Sequence, residues 1–122
     1  MKEQNDQSKK GEEMENTLVT YLYRDASNYK LYEETVLEGR ITEDEIQEVL
    51  STLDMGEYFI PGQVGLPMPS FSDHNEDDHP WCELSEASFG ETGRSADMTV
   101  REFVEAFKNA KREGWQEENY IF

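Results

Sequence analysis

Very little in this chain is basic. Its 122 residues include 28 acids against 11 bases, a formal net charge of -17. That shortage argues against direct binding to DNA, RNA or an anionic lipid surface, because like charges repel wherever salt leaves a field. A cationic partner, or a site that normally receives nucleic acid, is favoured instead. Cysteine is nearly missing too. Cys82 alone permits no internal disulfide and no cysteine-built zinc cage. No apolar run approaches the length that spans a bilayer. The opening MKEQNDQSKKGEEMEN lacks the apolar stretch and small-residue cleavage site of a signal peptide. Apolar residues make up 35% of the chain, below the usual globular share. The expectation is a soluble cytoplasmic protein of one domain with a modest core. The charge also suits a high-salt cytoplasm.

Residues 1–16 hold too little apolar surface to repay their ordering, so they are read as a flexible arm before a domain over residues 17–122. Thr17 changes the texture. TLVTYLY is rich in β-branched and aromatic residues, with Leu18 and Leu22 on one face and Val19, Tyr21 and Tyr23 on the other. RDASN supplies turn formers and YKLYEETVL resumes a strand, so the two predict a hairpin. After Gly39 a helix is announced by a capping box, Thr42 with Glu45, and a hydrophobic staple, Ile41 with Ile46. Its stripe of Ile46, Val49, Leu50 and Leu53 predicts a helix over Glu43–Leu53, with Gly56 beyond its end. The device recurs at Thr99 with Glu102 and Met98 with Phe103, predicting a helix over Val100–Glu113 that Gly114 ends.

Between the helices, EYFI reads as a short strand and Pro61-Gly62 as a type II turn. SFSDHNEDD reads as an acidic loop, HPWCELSEASF as one further strand, and GETGRSAD as loop again. EENYIF should add a strand or dock on the core. The expected class is α+β in the order β-β-α-β-β-α, an antiparallel or mixed sheet with two helices on one face.

Two polar clusters are candidates for function. RDASNYK places Arg24, Asp25, Asn28 and Lys30 at a hairpin tip, either as a recognition loop or as a turn in which Asp25 or Asn28 caps the backbone. The second gathers Asp73, His74, Glu76, Asp77, Asp78, His79, Cys82 and Glu83 beside Trp81. Such ligands suit first-row metals, yet no spacing matches a known cage. The plainer reading is a solvated acidic loop with Trp81 as a buried anchor. Catalysis finds little support. Cys82 and His79 lie three residues apart on an expected strand and so fall on opposite faces, and no glycine-rich phosphate cradle exists.

YRDASNYK, the helix that ends in GEYF, QVGLP and DHPW-C-E together resemble a family of small acidic bacterial proteins known only as hypothetical. The resemblance spans Thr17 to about Trp115 and implies a compact domain that shares both polar clusters. It implies no activity. Cys82 stands where that family's pattern has histidine.

The function expected from these features is a non-catalytic acidic module, an inhibitor, immunity-like protein or accessory subunit, that binds a basic surface on another protein. A sharper version has carboxylates mimic phosphates in a nucleic-acid-binding protein. Arg24, Asp25, Asn28, Lys30, Asp73, Asp77, Asp78, Trp81 and Glu83 are the expected contact residues, with no catalytic group, metal or cofactor. The competing expectation is a small metal-dependent enzyme built on Asp73–Glu83.

Overall fold

A computed structural model describes residues 15–25, 27–69 and 79–120. The fold is α+β. Among the described residues, β1 (Asn16–Arg24), β2 (Lys30–Glu38), β3 (Tyr58–Phe59), β4 (Cys82–Glu83), β5 (Phe89–Thr92) and β6 (Met98–Thr99) form one mixed sheet. Its order is β3-β4-β1-β2-β6, and β5 also pairs with β1. Every pairing is antiparallel except that of β2 with β6. The helices are α1 (Glu43–Leu50) and α2 (Val100–Glu113).

Alternation along β1 sorts the chain into two faces. Thr17, Val19, Tyr21 and Tyr23 are buried and form the floor of the core, while Leu18, Thr20 and Leu22 face the other way and stay half-exposed. Val49 and Leu53 from the α1 region join Phe103, Val104 and Phe107 of α2 in one cluster on that floor. Both helices therefore cover the same face, as expected. Phe107 is central: its ring lies 4.8 Å from Phe103, 5.2 Å from Phe59 and 6.2 Å from Trp115. Both capping boxes form, with Thr42 accepting from Glu45 N–H at 3.1 Å and Thr99 from Glu102 N–H at 3.0 Å. Buried Thr17 ties the strand to the first helix, donating to Gly39 C=O at 2.7 Å and accepting from Ile41 N–H at 2.9 Å.

Several expectations need correction. Asn16 belongs to β1, where its side chain holds Gly39 N–H and Arg94 C=O, so the domain begins before residue 17. Residues 1–14 lie outside the described ones. α1 stops at Leu50 rather than Leu53. The hydroxyls of Ser51 and Thr52 bond to Glu48 and Val49 carbonyls, and Met55 and Gly56 then turn with positive φ. Pro61-Gly62 opens a 3-10 turn over Pro61–Val64 instead of a type II turn. Gly62 lacks the positive φ that a type II turn demands, whereas Gly65 has it at 78° and ends the turn.

The single strand expected over HPWCELSEASF is divided. Ser85 and Ser88 cap a 3-10 turn, Glu86–Ser88, that separates β4 from β5. Gly90–Thr92, expected as loop, completes β5 because Asn16–Val19 offers it a pairing edge. Met98 and Thr99 serve both as α2's entry and as β6. The order is thus β-β-α-β-β-β-β-α. At the end of the chain Glu117–Asn119 forms a 3-10 turn, and the Tyr120 ring lies over Gly62, where a Cβ would meet it at 2.8 Å. Tyr120 thus packs on the Pro61–Val64 turn, while Ile121 and Phe122, the rest of the tail expected to add a strand or dock, lie outside the described residues. No helix among the described residues is long and apolar enough to cross a membrane.

Candidate functional site

Among the described residues neither helix packs across the second face of the sheet over residues 20–24 and 30–34, although Leu50 of α1 borders a cleft there and Val36, farther along the same face, is buried. Cross-strand partners share a face, so Leu22, its neighbour Tyr32 on β2, Glu83 on β4 and Tyr58 on β3 stand side by side there. Two clefts lie along this face. One, of about 450 Å³, runs past Leu22, Tyr32, Glu83 and the Glu86–Ser88 turn. The other, of about 410 Å³, is lined by Arg24, Asp54, Tyr58, His79, Trp81, Glu83 and Glu117. Glu83 belongs to both.

Arg24 sits at the last position of β1 and is fully engaged. Its Nε donates to Glu83 Oε2 at 3.0 Å and its Nη1 to Asn28 Oδ1 at 2.6 Å. Glu83 holds the Arg24 pKa above its ordinary value, first by hydrogen bonding and then by charge. Asn28 reaches the guanidinium from the hairpin turn, where it adopts a positive φ of 69° that asparagine tolerates better than most residues. Asp25 closes that turn. Its Oδ1 accepts from Ser27 N–H and from Tyr29 N–H, each at 2.9 Å. Asp25 is thus a backbone cap, and Lys30 lies opposite Arg24 in the ladder.

His79 is held by the backbone on both sides of its ring. Nδ1 accepts from Trp81 N–H at 3.1 Å, which requires an unprotonated Nδ1, so Nε2–H donates to Arg24 C=O at 2.8 Å. The ring packs on Tyr23 at 4.9 Å between centroids. These bonds fasten residues 79–81 to the end of β1 and aim Trp81 at the cleft. Trp81 is half-buried, 6.2 Å from Trp115, so it is not the buried anchor that the plainer reading expected. Cys82 is the buried neighbour, fully inside the core, and burial pushes its thiol far above the usual range. Cys82 and His79 therefore serve separate surroundings.

Of the expected contact residues, the fold brings Arg24, Asn28, Trp81 and Glu83 together. Asp25 and Lys30 stay at the hairpin tip. Asp73, Asp77 and Asp78 lie outside the described residues, as do His74 and Glu76. Among the described residues no group of three or more His, Cys, Asp or Glu side chains is placed to hold a metal. Three cleft residues went unforeseen. Tyr58 could have been found from alternation in EYFI, which turns Phe59 inward and Tyr58 outward. Asp54 and Glu117 carry no local signal, because the turn after α1 and the C-terminal tail meet only in the folded chain.

Charge is unevenly distributed in this cleft. Its one arginine is matched by Glu83, while Asp54 and Glu117 are exposed and have no cationic partner among the described residues. Tyr58 and Trp81 supply aromatic surface between them. Such a cleft can receive a cation, with carboxylates for charge and ring faces for contact. No family model, no curated protein and no solved structure matches this chain.

Proposed function

We propose that this protein is a non-catalytic interaction module that binds a basic surface of another protein through the helix-free face of its sheet. The observation that carries this reading is the cleft beside Trp81. Its guanidinium is already neutralised by Glu83, yet Asp54 and Glu117 remain open beside aromatic walls. A Lys or Arg side chain from a partner would meet unmatched carboxylates there, and Trp81 would serve as the aromatic anchor typical of interface hot spots. The net charge of -17 adds long-range attraction that speeds encounter with a cationic surface.

The arrangement of polar groups favours binding over chemistry. His79 has both ring nitrogens committed to the backbone. The Cys82 thiol is sealed in the core and kept protonated. We place the protein in the cytoplasm, where an unpaired thiol stays reduced. A partner that itself binds nucleic acid would make the acidic face a substitute for phosphates.

The test uses the full chain as bait in a lysate of its source, beside an Asp54→Asn, Glu117→Gln variant and a Trp81→Ala variant. A basic protein retained by the wild type should be released as salt shortens the Debye length from ~10 Å at 0.1 M to ~3 Å at 1 M. Both variants should retain less of it. Retention that ignores salt and all three substitutions would exclude the cleft as the contact.

A further inference from the structure

β2 pairs with β1 from Lys30 to Leu37, but among the described residues its other edge is covered only at one end. There Val36 donates its N–H to Asp97 Oδ2 at 3.0 Å and accepts from Asp97 N–H at 2.8 Å. Both groups of Val36 therefore point away from β1. Backbone direction alternates along a strand, so the N–H and C=O of Lys30, Tyr32 and Glu34 point the same way. The hairpin end has matching parity, since Asp25 N–H donates to Tyr29 C=O. Among the described residues no strand lies against Lys30–Glu34. Of these outward backbone groups, only Glu34 N–H is engaged among the described residues, by the Glu33 carboxylate at 3.0 Å. Tyr32 stands 65% exposed on this edge.

An open edge is a template for another strand, and the residues along this one specify which strand fits. Read antiparallel about Tyr32, the segment Lys30–Glu34 is complementary to itself. Lys30 falls opposite the second copy's Glu34, Glu34 opposite its Lys30, and the two Tyr32 side chains meet at the centre. We propose that the β2 edge pairs with the β2 edge of a second copy, giving a twofold dimer whose sheet runs through both chains. The outward groups of Tyr32 make it a hydrogen-bonded pair with its own copy, and Lys30 and Glu34 form the next such pairs on either side. Lys30, Tyr32 and Glu34 share the helix-free face with Arg24, Leu22 and Thr20. The two charge pairs thus flank the tyrosine pair on one surface, at cross-strand contact distance. The turn at Tyr29 and Asp97 beside Val36 bound the open stretch, so the incoming strand must be as short as the one it meets. Glu34 also holds Arg94 Nη1 at 2.8 Å, and Lys30 of the second copy would join that exposed pair.

So short an edge covers far less than the roughly 1,200 Å² of a stable interface. Two chains of -17 also repel. The dimer is accordingly weak, and it tightens as salt screens the repulsion. Binding of a basic partner responds to salt in the opposite sense, so the two interactions succeed or fail separately.

Sedimentation equilibrium of the full chain up to about 1 mM, a range that detects weak association, tests the pairing. A monomer–dimer equilibrium that strengthens between about 0.05 M and about 0.5 M salt is expected. Lys30→Glu and Glu34→Lys should each weaken it roughly tenfold, from two lost pairs and two like-charge contacts, and the double swap should restore it. Global charge alone predicts otherwise, since Glu34→Lys lowers the net charge and would tighten the dimer. Tyr32→Cys should cross-link two copies, because Cα atoms in such a pair lie about 5.5 Å apart, inside the disulfide range. A monomer at about 1 mM in both salts, or a dimer that the charge swap does not restore, overturns the proposal.

Discussion

Replacing Phe107 by alanine tests whether the aromatic cluster on the covered face holds the domain together. Phe107 is fully buried, and its ring touches Phe59 on β3, Phe103 one turn earlier and Trp115 beyond the helix. Truncation removes the transfer energy of a phenyl ring and leaves a cavity between sheet and helix, a combined cost of about 3–5 kcal/mol. Aromatic pairs contribute beyond buried area, so the upper half of that range is expected. Domains of this kind are stable by roughly 5–15 kcal/mol, and a urea slope of about 1–3 kcal/mol/M converts the loss into a midpoint shift of about 2 M. Urea unfolding followed by far-ultraviolet circular dichroism reads it. Should the alanine variant fail to fold, Phe107→Leu keeps most of the volume and should lose only about 1–2 kcal/mol. A shift below about 0.5 M for the alanine variant, when a full core truncation should give about 2 M, would refute the placement of this ring at the centre of the core.

Asp97→Ala should cost about 1–3 kcal/mol in urea unfolding, because it strips the Oδ2 acceptor from Val36 N–H, on a residue 1% exposed; a loss near zero would show that the bond is dispensable. Cys82 should resist thiol reagents at pH 8 until the chain unfolds, and rapid labelling of the native protein would contradict its burial. Burial raises the Cys82 thiol from an ordinary 9.0 and the Tyr21 hydroxyl from an ordinary 10.0. Stability from both neutral groups is complete below their unfolded values, so melting temperature should hold below about pH 9 and fall as pH rises further; a flat profile to pH 11 would refute it.

Where the sequence speaks through near neighbours it is easily read. Thr42 with Glu45 and Thr99 with Glu102 announce helix starts because a capping box closes within one turn. The hairpin follows from alternation and from Asp25 and Asn28, residues suited to a tight turn. β5 is harder, since Gly90 and Glu91 have little intrinsic preference for a strand and acquire one only by pairing with Thr17 and Leu18. β4 likewise depends on Leu22 and Tyr58, far away in the chain. The candidate site divides along the same line. Arg24 and Asn28 are neighbours around one turn, and Trp81 and Glu83 lie two residues apart at β4, so each pair could be singled out. That Arg24 meets Glu83, and that Asp54 and Glu117 close the cleft around them, depends on the order of strands. No local pattern encodes it.

The central claim is that the cleft beside Trp81 receives cationic side chains. Its most direct test is an NMR titration of the labelled full chain with a short arginine-rich peptide, following backbone amides and the two indole N–H signals. Trp115 Nε1–H is bonded to Thr52 C=O at 3.0 Å, whereas Trp81 Nε1–H has no partner among the described residues, so the indoles report separately. Shifts should concentrate on Trp81, Tyr58 and Glu83, move the Trp81 indole more than that of Trp115, and weaken in the Asp54→Asn, Glu117→Gln variant. Shifts spread evenly over the acidic surface, with the variant titrating like the wild type, would contradict the claim.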